Sequence, residues 1–259
     1  MEPPISPLVF AILLFMGMVA LVETGRRFGV RRRAKESENE RGSLGTIEGA
    51  VFALFGLLMA FTFSGAASRF NEKRMLVAEE VNSIETAYLR LRLVSQEAQP
   101  ALRELFRNYA DSRLETYRKL PDMEAAKLEM TKSKKFQDEI WSGAVAATRL
   151  STSHPAAGWL LLPAINNMID IATTRTMALQ SHPPRIIYGL LFGLGLVCSL
   201  LAGYRMASGQ QRSWLHILGF TLLTVIIVYV MLDVEYPRAG LIRLVSADQL
   251  LLKVREAMN

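Results

Sequence analysis

Four uncharged apolar stretches constrain this chain more than any other feature. They run Ile5–Val22, Gly49–Ser68, Ile186–Tyr204 and Ser213–Leu232, are 18, 20, 19 and 20 residues long, and contain no Asp, Glu, Lys or Arg. About 20 apolar residues in a helix cross roughly 30 Å of hydrocarbon. Backbone polar groups in lipid must bond within their own segment, so each stretch is expected to be a helix. The expected fold class is all-α: an integral membrane protein with four transmembrane helices, two plus two, and a helical bundle between the second and third. The expected order is a first hairpin with a basic connector over 1–68, the bundle over 69–184, a second hairpin over 185–233, and a C-terminal turn and short helix over 234–259.

Charge is unevenly placed. Between Thr24 and Gly45 lie Arg26, Arg27, Arg31, Arg32, Arg33, Lys35 and Arg41, against Glu36, Glu38 and Glu40. The formal charge of +6 and pI near 9.6 could suggest nucleic acid. A basic connector between two spans is instead the positive-inside signal, and no binding motif or interleaved aromatic accompanies it, so no nucleic-acid partner is expected. Charge alone places this connector in the cytoplasm and the long middle region outside. No basic residue precedes the first span and Leu21-Val22-Glu23 does not fit a small-residue cleavage site, so that span is expected to be retained. The single cysteine, Cys198, lies inside a span, so no disulfide forms within the chain.

The middle region reads as helix throughout. Apolar positions continue past the second span as Phe70, Val77, Val81, Ile84, Tyr88 and Leu91, with spacings of 4, 3, 4, 3 from Val77 onward. No Gly or Pro interrupts Ala66–Gln99, so one helix is expected from about Thr46 to about Ser95. Pro100 opens the next, to about Lys119, with Leu102, Leu105 and Tyr109 on one face. Pro121 marks a turn. A third helix carries Phe136, Ile140, Ala144 and Ala147, and its charged start, Lys127–Asp138, is expected to be a loose solvated end. Ser151–Pro155 is a turn. A fourth helix carries Leu161, Ile165, Met168, Ala172 and Leu179, with Pro163 near its start. His182-Pro183-Pro184 stops it. Ser246 with Gln249 resembles a capping box opening a terminal helix.

Sequence signatures of common chemistries are absent: no G-x-S-x-G, P-loop, H-E-x-x-H or C-x-x-C. No enzymatic activity, cofactor or metal is expected. His154, His182 and His216 read as turn and interface residues. Asp233 and Glu235 could hold a cation, or cap structure and pair with Arg238. The methionines, among them Met75, Met123, Met130, Met168 and Met177, read as packing residues. Glu48 and Arg69 bracket the second span, either as boundary residues with their heads at the interface or as charges at the mouths of a pore. Within that span small residues at Gly49, Ala53, Gly56, Gly65, Ala66 and Ser68 permit close helix approach. Ala53, Leu57 and Phe61 form an i, i+4, i+8 stripe. Such a helix either packs inside its own bundle or lines a pore with an apolar ring that gates by dewetting.

The run from Phe61 through Ser68, Arg69, Phe70, Glu72 and Arg74 resembles a family of bacterial membrane proteins described as bestrophin-like. The resemblance extends nearly end to end, through a Pro-Arg-x-Gly-Leu-Ile turn at Pro237–Ile242. More distantly, the same run is similar to the pore helix of bestrophins, pentameric anion-selective channels whose narrow neck uses three residues spaced by four. Position by position, that neck falls on Ala53, Leu57 and Phe61, and the arginine that follows the last neck position by eight residues falls on Arg69. Ala and Leu stand at two of the three neck positions in place of larger or aromatic groups, which implies a neck that is either wider or absent. The acidic calcium clasp of animal bestrophins has no counterpart here. The resemblance implies a homo-oligomer, a pentamer, in the bacterial inner membrane, passing small inorganic ions such as chloride. It also implies a cytoplasmic bundle, opposite to the charge bias. The alternative is a non-conducting scaffold or sensor whose bundle binds a partner protein through the Val77–Leu91 seam.

Overall fold

The structure, a computed structural model, describes residues 6–32, 38–119, 122–207, 214–236 and 245–258. Among the described residues the chain is all helical. The helices are α1 (Pro7–Arg32), α2 (Glu38–Arg90), α3 (Gln99–Arg118), α4 (Met123–Thr148), α5 (Ala157–Gln180), α6 (Arg185–Met206), α7 (Trp214–Glu235) and α8 (Val245–Ala257). Four helical stretches are long and apolar enough to cross a bilayer, and the protein is a multi-pass membrane protein. The Pro237–Ile242 turn, Pro121, Arg238 and much of the basic connector lie outside the described residues.

Two compact units divide the chain. The membrane unit holds α1, the first part of α2, α6 and α7; the bundle unit holds Phe70–Ser181 and α8. Helix α2 is 53 residues long and contributes to both. It begins at Glu38, earlier than the apolar pattern implies, because polar residues also sustain the backbone ladder. It ends at Arg90 in a 3-10 turn, Leu91–Leu93, and extended backbone at Val94.

In the membrane unit α1 buries Pro7, Ala11, Leu14, Met18, Val22, Gly25 and Gly29, one residue per turn. That seam meets α6, and the register rises on both helices, so the pair is parallel: Leu14 faces Gly195, Gly25 faces Leu200, and Gly29 faces Tyr204 and Ala207. A Cβ placed on Gly25 would lie 2.0 Å from the Leu200 carbonyl oxygen, and one on Gly203 would lie 2.0 Å from that of Val22. Only hydrogen fits at either place, so the two backbones touch. Leu14, Met18, Phe55, Leu191, Cys198, Val228 and Met231 fill the core between helices. Buried hydroxyls of Thr62, Ser199 and Thr221 donate to carbonyls four residues back, which satisfies them without water.

The bundle unit closes around the Val77, Val81, Ile84 and Leu91 seam, with Phe106, Tyr109, Ile140, Leu161, Ile165 and Met168. This seam is therefore occupied by its own chain. Helix α3 carries Pro100 in its first turn. Helix α4 is capped by the Asp122 side chain, which accepts from the Glu124 and Ala125 amides. The charged start of α4 is packed rather than loose: Ala126, Glu129 and Ser133 are buried there. Glu129 accepts from Lys119 and Lys132, and Ser133 shares a 2.7 Å hydrogen bond with Ser112 of α3. Hydrogen bonding to the two ammonium groups holds the Glu129 carboxyl below its ordinary range. Helix α8 docks on α3 through Leu251 and the Arg255–Asp111 pair at 2.8 Å. Tyr88 and Arg107 both donate to the carbonyl of Met258.

Candidate functional site

The bracketed second span occupies α2 from Glu48 to Arg69. Its inward face carries Phe55, Thr62 and Ala66, which are buried. The stripe of Ala53, Leu57 and Phe61 lies on the other side and is open: Leu57 is 53% and Phe61 68% exposed within the chain. Gly49 and Gly56 have nothing within 4 Å of where a Cβ would stand. Of the apolar window in α2 only 17% is buried, against 28% in α1 and 44% in α7. The chain's own helices thus leave α2 the least covered of these three, and its small residues are not what brings helices together here. Gly25, Gly29 and Gly203 are.

Each end of the stripe is held by an ion pair within the membrane unit. Glu48 is buried, and Arg205 at the end of α6 donates to it at 3.3 Å. At the other end Arg69 grips Glu235 of α7 with a fork of contacts, Nη2 at 2.7 Å and Nε at 2.9 and 3.1 Å. Its guanidinium passes 3.1 Å from where a Gly65 Cβ would stand, so the missing side chain leaves room for it. The Glu235 side chain is wholly buried and lies 3.3 Å from His182 Nδ1. The His182 ring stacks on Tyr236 with centroids 4.6 Å apart. A carboxylate removed from water requires such partners, and this one ties the end of the apolar span within α2 and the end of α7 to the segment entering α6. Around Arg69, Ser68 is exposed on the stripe side, Phe70 packs against the bundle core, and Glu72 and Arg74 are exposed.

A second ionic centre lies inside the bundle unit. Glu80 of α2 accepts from Arg113 Nε of α3 at 2.5 Å, from Arg175 of α5, and from the Tyr117 hydroxyl at 3.2 Å. Arg175 lies over the Tyr117 ring, 3.6 Å from its centroid. Burial pushes the Glu80 carboxyl up, but the two guanidiniums outweigh it and hold it at about 2. Burial pushes the Tyr117 hydroxyl up to about 12. Glu80 is fully buried and both arginine side chains are 3% exposed, so no solute reaches the centre. Its chemistry is structural: it pins three helices by charge-assisted hydrogen bonds.

The sequence carried a signal for this network. Leu161, Ile165, Met168 and Ala172 step by 4, 3 and 4, and the next core position is Arg175. Arg113 is four residues beyond Tyr109, and Glu80 sits between Val77 and Val81 on the buried seam. A charge at a core position of an otherwise apolar repeat points to a partner across the bundle. The Arg69–Glu235–His182 cluster had a weaker signal, because Arg69 is more than 100 residues from both of its partners in sequence and these are 53 residues from each other. His154 lies in the turn before α5, where its Nδ1 accepts from the Ala156 amide. Asp233 is buried. Among the described residues no group of three or more His, Cys, Asp or Glu is placed to hold a metal.

No curated protein and no solved structure matches the chain. The family model described as the bestrophin-like domain matches residues 9–248, which takes in both spans of each hairpin and the bundle between them. With nearly its whole length covered by that model, this chain belongs to the bestrophin-like family.

Proposed function

We propose that the protein is an oligomeric ion channel of the bacterial inner membrane, a pentamer that conducts anions such as chloride, with α2 of each subunit lining a central pathway. The observation that carries this reading is the open stripe of Ala53, Leu57 and Phe61 on the least covered of the compared spans. Around a shared axis these side chains form an apolar constriction, and the flanking Gly49, Gly56 and Ala60 let neighbouring subunits approach closely. Arg69 stands at one mouth and Glu48 at the other. Both are counter-charged within their own subunit, so anion preference rests on the pathway's dipoles and only in part on Arg69. Bound this way, the protein needs no cofactor and performs no catalysis.

The test is reconstitution of the pure protein in planar bilayers. Unitary currents are expected, and Phe61→Ala is expected to change them. Verified oligomers that pass no current in either orientation overturn the proposal, and an unchanged conductance in Phe61→Ala removes the ring.

A second reading, a scaffold or sensor whose bundle binds a partner protein, has one observation in its favour. Trp159 in the first turn of α5 is 85% exposed, and Met177 on the same helix is 66% exposed. Crosslinking before and after removal of residues 69–182 separates the two: loss of a partner with ion flux retained supports the scaffold.

A further inference from the structure

Between α2 and α5 the bundle unit leaves an open groove of about 280 Å³. Two hydrogen bonds across it show that the helices run antiparallel. At one end Asn167 Nδ2 donates to Ser83 Oγ at 2.9 Å, and at the other Arg90 Nη1 donates to the Leu160 carbonyl at 2.6 Å. Ser83 and Arg90 are two helical turns apart, so the groove runs about 10 Å. Asn82, Thr86 and Pro163 complete its lining. Its size, near the lower edge of small-molecule sites, takes one small solute.

The fold leaves the polar groups of this groove largely unspent. Arg90 is half-buried, and among the described residues its guanidinium has no carboxylate partner and no bond besides that to Leu160. That bond fixes the head and leaves the Nε–Nη2 edge open, an edge that grips a carboxylate through two parallel bonds. The Asn82 side chain has no partner among the described residues, and Asn167 Oδ1 is likewise open. Thr116, Thr173, Thr174 and Thr176 each donate to the carbonyl four residues back, whereas Thr86 does not. Trp159 lies one turn before Pro163 on the same side of α5 and is 85% exposed. Glu79 and Asp170 stand one turn past Ser83 and Asn167, at the end away from Arg90.

We infer that this groove binds a small polyhydroxy carboxylate of the size of a hexuronate. The carboxylate lies on the open edge of Arg90. Hydroxyls, which donate and accept at once, meet Asn82, Thr86 and Asn167 Oδ1, and the indole of Trp159 lies on the C–H face of the ligand. One unpaired cation matches one negative charge. Phosphate would bring a second charge with no partner, and a simple carboxylate would leave both amides and the Thr86 hydroxyl to water. A neutral sugar would leave the guanidinium edge unused. The inference is independent of ion conduction.

The experiment is isothermal titration calorimetry of the purified full-length protein in detergent, with galacturonate, glucuronate and gluconate as probes. At least one of these is expected to bind saturably, at one site per chain. Glucose, acetate and inorganic phosphate are expected to bind at least ~10-fold more weakly, since each leaves part of the groove unpaired. Arg90→Gln removes a charge-assisted contact and is expected to weaken binding roughly 10- to 100-fold. Asn82→Ala and Thr86→Ala change exposed side chains that hold nothing else, and each is expected to weaken it about 3- to 10-fold. The absence of saturable binding by all of the probes up to ~10 mM overturns the inference. So does acetate or phosphate binding as tightly as the hydroxy acid, which would make the groove a bare anion site, or an affinity unchanged in Arg90→Gln. If Arg90→Gln does not fold, because the Leu160 carbonyl loses its donor, Asn82→Ala must still lower the affinity, and an unchanged value there is equally fatal.

Discussion

Replacing Gly203 by Ala adds one methyl group at the tightest point of the membrane unit. That carbon would lie 2.0 Å from the Val22 carbonyl oxygen, 2.7 Å from its carbonyl carbon and 2.8 Å from its Cα. All three atoms are backbone, so no side chain can turn aside. Normal C···O contact begins near ~3.3 Å, so α1 and α6 must separate by about 1.3 Å. A gap of that size forfeits more than half of the dispersion energy along the seam from Val22 to Gly29. Overpacked cores lose ~1–3 kcal/mol, and the backbone-on-backbone clash places this one near the upper value. For a chain of this size that corresponds to a fall of roughly 6–12 °C in melting temperature. The assay is thermal unfolding of the purified protein in detergent, followed by tryptophan fluorescence. Gly25→Ala meets the Leu200 carbonyl at the same distance and should behave alike. The double variant should lose less than the two added, since the first substitution already opens the seam. Gly193→Ala and Gly219→Ala are the controls, because nothing lies within 4 Å of their added carbons. Those should melt at or slightly above the wild-type temperature, as Ala favours helix by up to ~1 kcal/mol. If Gly203→Ala melts within about 2 °C of wild type, the close parallel packing of α1 on α6 is wrong.

Two further outcomes follow from the ionic centres. Glu235→Gln leaves Arg69 facing a neutral amide and should cost about 3 kcal/mol, the lower end for breaking a buried pair because Arg69 keeps some access to water. Adding Arg69→Gln should recover part of that loss, and a stability cycle with strictly additive effects would refute the pairing. In the bundle unit, the Glu80 carboxyl sits at about 2 against 4.5 for the free group, so on acidification the unfolded chain takes up the proton first. The stability due to this charge is fully present above pH ~4.5 and is lost as the pH falls towards 2, roughly 3 kcal/mol in all. Denaturant titrations at stepped pH should show that slope in wild type and lack it in Glu80→Gln; an identical slope in both would show that Glu80 is not responsible.

Much of the architecture could be read from residues alone. The four spans follow from apolar length, and α3 and α5 follow from proline positions and apolar spacing. What the reading of α4 lacked was a partner surface: Lys127–Asp138 looks solvated because it is charged, yet Glu129 and Ser133 are buried within it, Ser133 meeting Ser112 and Glu129 two lysines. The α2 stripe was legible as a pattern, and the structure adds that its own chain leaves it uncovered. The close contact of α1 with α6 was not legible. Gly25 and Gly29 fall past the apolar limit, among arginines, where small-residue spacing is not ordinarily sought.

By itself the sequence determined that this chain spans a bilayer four times and carries a helical bundle between its hairpins, because apolar length and periodicity are local properties. Which residues meet was decided only in three dimensions. The gripping of Arg69 by Glu235 and of Glu80 by two arginines joins positions 166, 33 and 95 residues apart. The packing of glycine on carbonyl between α1 and α6 likewise depends on helix register, and no one-dimensional pattern encodes register across a gap of more than 150 residues. Burial of a charge is costly enough that its partner is dictated once the helices pack, but the sequence does not say which charge will be there.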